Sequence, residues 1–306
     1  MRDLKERQKV KESRNDKIFD IICNTFLVIL VLIVLYPMYF VVVASFTDPE
    51  IVNSGDFLLY PVKFTLEGYK KVFQNSRVWT GYLNTILYTT GSVVLGVVVT
   101  MMAGYALARK DLFGKNVIMK FLVFTMYFSG GMIPLFLVVT QLGLINTRFV
   151  IILLGSISVY NIIVVRSFLA SNIPDELLDA AIMDGCGNFN FFVKIVLPLS
   201  KAIMAVIMMY IAVSQWNSYF NSMLYLTDSS KLPLQMFLRE TLLMASELGN
   251  VTEMEASDPE YVEMMRKMAQ VLKYSLIVIS TAPIMCIYPF VQKYFVKGVM
   301  IGSVKG

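Results

Sequence analysis

The sequence predicts an all-α fold, a polytopic membrane protein of six transmembrane helices, and two observations carry that prediction. The first is composition. The 306 residues are 57% hydrophobic and only 16% charged, with a mean hydropathy of +0.64, whereas a soluble domain carries about 25% charged residues. The second is patterning: uncharged apolar runs recur along the chain, several of them near the roughly 20 residues that a helix needs to cross a bilayer.

The elements follow in order. Residues 1–17, "MRDLKERQKVKESRNDK", form a basic leader, too long and too acidic for the n-region of a signal peptide. The apolar run behind it exceeds the ~7–15 residues of a signal h-region. The leader is therefore expected to stay in the cytoplasm, and the first span, 18–45, to be retained within a transmembrane domain of residues 18–306. Further spans are expected over 82–108, 117–140, 149–169, 201–226 and 272–296. The third is interrupted by "SGGMIP", either a kink or a local unwinding that lines a path. Pro37, Pro134, Pro283 and Pro289 fall inside spans and predict kinks, tolerable where neighbouring helices pack.

Lys and Arg gather at one set of span ends: in the leader, in "RKDLFGKN" with Lys120, and in the terminal "QKYFVKGVMIGSVKG". By the positive-inside rule these ends, and with them both termini, are assigned to the cytoplasm. The loops 46–81 and 227–271 then lie opposite, the second with an acidic balance.

The chain has no histidine, which removes the commonest general base and metal ligand. Cys23, Cys186 and Cys286 stand far apart and read as small apolar fillers. No GxxxxGK[ST] phosphate loop occurs. The chain is thus expected to be no enzyme and to bind no metal or cofactor, and any ATP must be bound by another chain. Its spans hold almost no fixed charge, which argues against a proton relay but leaves sodium binding by carbonyls and hydroxyls open.

Residues 170–200 break the apolar pattern on the cytoplasmic side. "NIPDELLDAAIMDG" reads as a short helix with Pro174 in the first turn and Asp175 and Glu176 at the positive end of the dipole. Gly185 supplies a left-handed stop. Leu177, Ala180, Ala181 and Asp184 share a face at helical spacing, where paired alanines let another backbone approach. A second helix, "NFNFFVKIVL", is expected to start after Asn188 and end before Pro198, because the residue ahead of a proline avoids helical geometry. Such an element either presses on a partner and passes its displacement into the fifth span, or lies as amphipathic cover on the inner rim of the bundle.

"DAAIMDG" followed by "IVLPLS" resembles the EAA loop of binding-protein-dependent ABC importer permeases. Asp179 stands where that family usually has glutamate; Ala180, Ala181, Gly185, Leu197 and Pro198 match. "GYALARKDLFGKN", "FTMYFSGGMIPLFLVVTQLGLINTRF", "SNIPDELLDAA", "QWNSYF" and "YPFVQKYFVKGVMIGSVKG" extend the resemblance, in order, over essentially the whole chain. They resemble the carbohydrate-uptake, maltose-permease-like subfamily and its branch for complex polysaccharides and aldouronates. The resemblance implies the type I ABC importer permease architecture, in a bacterial cell membrane. It implies a second permease as heterodimer partner, an extracytoplasmic solute-binding lipoprotein, and a cytoplasmic ATPase dimer that binds ATP and magnesium. The EAA loop would dock on that ATPase through Asp179, Ala180, Ala181, Asp184, Gly185, Leu197 and Pro198.

An oligosaccharide is held by aromatic faces and neutral hydrogen-bonding groups. Candidates in the spans are Tyr127, Ser129, Asn161, Gln215, Trp216, Asn217 and Tyr219, densest in "QWNSYF". The same residue types serve equally as glue between helices. "YPVKFTLEGYKKVF" and the helical "LPLQMFLRETLL" are expected to dock the binding protein or to cap the bundle. The alternative function is a self-sufficient, ion-coupled secondary transporter.

Overall fold

Inside a bilayer the backbone has only itself to bond to, so each apolar run closes into a helix. The computed structural model describes residues 13–53, 59–250 and 259–303, and among them every regular element is helical. Most of the leader, residues 54–58 and 251–258 of the two long loops, and the last three residues lie outside the described residues.

The first span is α1 (Arg14–Ser45), opened by a capping box in which Ser13 N–H donates to Asp16 Oδ2 at 2.9 Å. Short α2 (Pro49–Asn53) and α3 (Glu67–Gln74) lead to the second span, α4 (Ser76–Ala108). The third is α5 (Lys115–Tyr127) with α6 (Met132–Gln141), and the fourth is α7 (Arg148–Ser156) with α8 (Val159–Asn172). Then comes a two-helix finger: α9 (Asp175–Met183), α10 (Asn188–Phe191), a π turn over Phe192–Val196, and α11 (Leu197–Leu199). The fifth span is α12 (Lys201–Trp216), followed by α13 (Phe220–Tyr225), α14 (Leu234–Asn250) and α15 (Pro259–Ser303). The helices α1, α4 and the Lys267–Pro289 part of α15 are long and apolar enough to cross a membrane singly; three bent pairs bring the number up to six.

Two sequence expectations change here, and one alternative left open is decided. "SGGMIP" is a break and no kink: α5 and α6 meet at 113°, Gly131 sits at φ +86, and Pro134 falls in the first turn of α6, where its missing N–H would be unpaired anyway. The second finger helix does not stop before Pro198. The N–H of Leu197 bonds back to Phe192 O, a wide i→i−5 turn that displaces the carbonyl a proline ring would otherwise strike. The chain bends instead at Ser200, by 81°, into α12. The fifth span also gives way earlier than expected, at Asn217–Tyr219, and resumes as α13.

α4 is the axis of the bundle, with α7, α8, α12 and α14 packed around it. Two glycines explain the close approach: a Cβ at Gly96 would lie 2.4 Å from Ser156 O, and one at Gly104 2.5 Å from Val165 Cγ1. Small residues let membrane helices approach closely enough for dispersion to hold them where water cannot. One core cluster joins Val97, Met101, Leu169 and Ile207 to the finger's Ala181, Phe191 and Val196. At the other end Tyr88, Val150, Ile151 and Tyr225 pack together, beside a cluster of Val72, Val78, Leu234 and Leu276.

Polar ties close that second end. Asn84 Nδ2 donates to Ser230 O (2.8 Å) and Leu232 O (3.1 Å), and Tyr88 Oη donates to Lys231 O (2.7 Å). Asn146, at φ +57, accepts from Thr227 N–H and Asp228 N–H and from Lys231 Nζ at 2.8 Å. Three helices are little covered: α5 has no buried residue, α6 buries only Val139, and α1 is buried only at Val43, Ala44 and Ser45.

Candidate functional site

The finger is built by its turn. Gly185, at φ +74, donates its N–H to Ile182 O (2.9 Å), and Cys186 N–H reaches back to Ala181 O (2.8 Å). This pair of bonds is the Schellman arrangement, which satisfies the last carbonyls of α9 and needs a left-handed residue at that position. Pro174 caps α9 with an extended backbone, one residue earlier than the first-turn position expected.

The alanine pair divides. Ala181 is buried in the core with Phe191 and Val196, so the expected shared face of Leu177, Ala180, Ala181 and Asp184 splits: the other three are exposed. Ala181 seats the finger, and Asp179, Ala180, Asp184 and Gly185 form its outer surface. Leu197 is partly buried and packs on the same core, while Pro198 is exposed.

A contact set that sequence reasoning missed pins the finger to α4. Arg109 Nη1 donates to Asn188 Oδ1 (2.6 Å) and to Tyr105 Oη (3.1 Å), while its Nε donates to Asp111 Oδ1 (2.7 Å) and its Nη2 to Asp111 Oδ2. Lys110 Nζ pairs with Asp175 Oδ2 at 2.5 Å. The Tyr105 ring packs against Phe192 and Phe191, with centroids 5.1 and 6.4 Å away. The hydrogen bond from Arg109 holds the Asp111 carboxyl below its ordinary pKa, and the bond to Asp175 raises that of Lys110. The signal in the sequence was a basic pair in a short loop at the same bundle end as the acids that open α9.

The path candidates fall into three places. Gln215 and Trp216 turn inward. Gln215 Oε1 lies where a Cβ of Gly155 would be, 1.9 Å from that position, and Trp216 Nε1 donates to Ser280 O at 2.9 Å, tying α12 to α15. Asn161 is buried on α8. Asn217 and Tyr219 are exposed at the break that follows α12, with the Arg239 guanidinium 5.5 Å from the centre of the Tyr219 ring. Tyr127 and Ser129 are exposed at the separate break between α5 and α6.

No family model matches the chain. It is 38% identical over 292 residues to the polygalacturonan/rhamnogalacturonan transport system permease protein YtcP of Bacillus subtilis, covering 95% of this chain and 99% of that one. It is 34% identical over 305 residues to protein LplC of the same organism, covering 99% and 100%. Among solved structures it superposes, with a TM-score of 0.82 and 35% identity, on a chain from a crystal structure of a bacterial ABC transporter involved in the import of the acidic polysaccharide alginate; 93% of this chain and 99% of that chain are covered.

Proposed function

The chain belongs to the sugar and polysaccharide permeases of ABC transporters, and from that premise we propose that it forms one half of an ATP-driven import path for acidic oligosaccharides. The observation that carries the coupling is the finger: a turn locked by two hydrogen bonds, an exposed face, and an 81° junction into the fifth span. A push on α9 cannot be absorbed by its turn, because the left-handed Gly185 and the buried Ala181 fix it, so the displacement passes to α12. The pushing partner is a cytoplasmic ATPase dimer, which holds ATP and magnesium, and Asp179, Ala180 and Asp184 are the surface offered to it. This puts the finger, the loop after α4 and both termini on the cytoplasmic side.

A second permease completes the path by covering exposed surface on α1, α5 and α6, and an extracytoplasmic binding protein delivers the sugar at the end formed by α3 and α14. Acidic cargo is favoured because two of the proteins named above are described by transport of polygalacturonan/rhamnogalacturonan and import of alginate. Along the path Tyr127, Ser129, Asn217 and Tyr219 face the sugar, and Asn161, Gln215 and Trp216 support that surface from behind. An aromatic face beside neutral donors suits a sugar ring, and the guanidinium of Arg239 suits a carboxylate.

The test is reconstitution of this chain with its second permease, ATPase and binding protein in liposomes. Uptake of galacturonate or mannuronate oligomers is expected only with ATP and the binding protein present. Uptake by this chain alone under a sodium gradient, without ATP, would overturn the reading in favour of a secondary transporter.

A further inference from the structure

The finger joins the bundle along the chain at both ends, from α8 through residues 173–174 and into α12 at Ser200, and it is seated on the core through Ala181, Phe191 and Val196. A polar attachment off the chain is made by two consecutive residues at the end of α4. Arg109, the C-cap of α4, holds Asn188 at the start of the finger's second helix, and Lys110 holds Asp175 at the start of its first. The four side-chain bonds of Arg109 go to three different groups: Asp111, Asn188 and Tyr105. Its backbone carbonyl is held in turn by Lys115 Nζ at 3.0 Å. Only a planar fork with several donors can make that set, since lysine offers a single point charge.

We infer that Arg109 and Lys110 form a latch that makes the finger and α4 move as one body, with Arg109 as the positioning residue. The inference rests on the coupling role proposed above. A stroke on α9 then enters the second span through Arg109, besides passing into the fourth and fifth spans along the chain. Because α4 is the axis on which α7, α8, α12 and α14 pack, the route through Arg109 reaches most of the bundle. Without it the finger is held by its chain ends and its apolar seat alone, and part of the stroke is spent shifting α9 against α4.

The two contacts differ in strength. Arg109 is largely covered, whereas the Lys110–Asp175 pair is exposed at 81% and 53%. Exposed pairs contribute little, and charge-assisted bonds on a covered guanidinium contribute more. Arg109 is therefore expected to dominate.

The experiment uses the complete importer in proteoliposomes and reads the ATP hydrolysed per oligosaccharide taken up. Arg109→Ala and Arg109→Lys are each expected to assemble with the ATPase, keep hydrolysing ATP, and lose uptake by about tenfold, as loss of charge-assisted bonds implies. Failure of the charge-conserving lysine separates the fork from simple charge. Lys110→Asp and Asp175→Lys should each lower uptake by about threefold, as for an exposed pair, and the double exchange should restore it. An unchanged ATP-to-sugar ratio in both Arg109 variants overturns the latch. If the Arg109 variants do not assemble, the exchange decides alone: restoration supports the latch and failure to restore overturns it. A wild-type complex that shows no ATP-driven uptake is a different result, which removes the coupling role and the latch with it.

Discussion

At Gly185 a hydrogen atom in place of a side chain keeps the turn of the finger unstrained. Its φ of +74 is a conformation that costs an L-residue roughly 1–2 kcal/mol, and more for a β-branched one. Gly185→Val is expected to lower recovery of the ATPase on co-purification, while Gly185→Asn, a residue that tolerates the left-handed region, should retain most of it. Trp216 and Tyr219, three residues apart, should behave differently. Trp216→Ala removes a buried ring and its bond to Ser280, a loss of about 3–5 kcal/mol by core-truncation precedent. It is expected to show as a lower melting temperature and a smaller yield of assembled complex. Tyr219→Ala, at an exposed position, should leave yield and melting unchanged and slow uptake of acidic oligomers. Wild-type uptake in that variant would remove Tyr219 from the path.

Among the helices, α4 depends on what its glycines leave out. Gly104→Leu would drive a side chain into Val165 and the backbone of Arg166, separating α8 from α4, and small-residue contacts of this kind hold membrane helices together. The expected outcome is loss of monodisperse protein on size-exclusion chromatography, with Gly114→Ala, which meets open space but sits at φ +75, far milder. How much of this was legible in the sequence differs by element. The spans were, because lipid demands long uncharged runs and the sequence supplies them. The turn at Gly185 was, because glycine after a short amphipathic helix has one common use. The inward aim of Gln215 and Trp216 was not: a span that is apolar on all sides gives no stripe to say which face is inside. The passage through Pro198 was hidden for another reason. The rule that helices stop before proline assumes α geometry, and the π turn at Phe192–Val196 supplies a wider one. The split of Ala180 from Ala181 follows from a core that forms only when α4, α8 and the finger's second helix come together.

Across the whole molecule, one end carries the basic loop after α4 and the finger, and the other carries α3, the 227–233 loop and α14. This sidedness can be measured. Phe113, 97% exposed, and Tyr60, 70% exposed, mark the two ends. In a background lacking Cys23, Cys186 and Cys286, Phe113→Cys is expected to react with an impermeant maleimide only in inverted vesicles, and Tyr60→Cys only in intact cells. The reverse pattern would invert the assigned topology and place the finger beyond reach of any cytosolic ATPase. A π turn is an α-helix with one surplus residue, and each residue rotates a helix by about 100°. The finger and the fifth span are thus clocked to one another by that single insertion. Excising Val193 would leave every contact residue present yet turn the shaft to a new hour, and in the two-permease importer proposed above such a mistimed subunit is expected to burn ATP while nothing crosses.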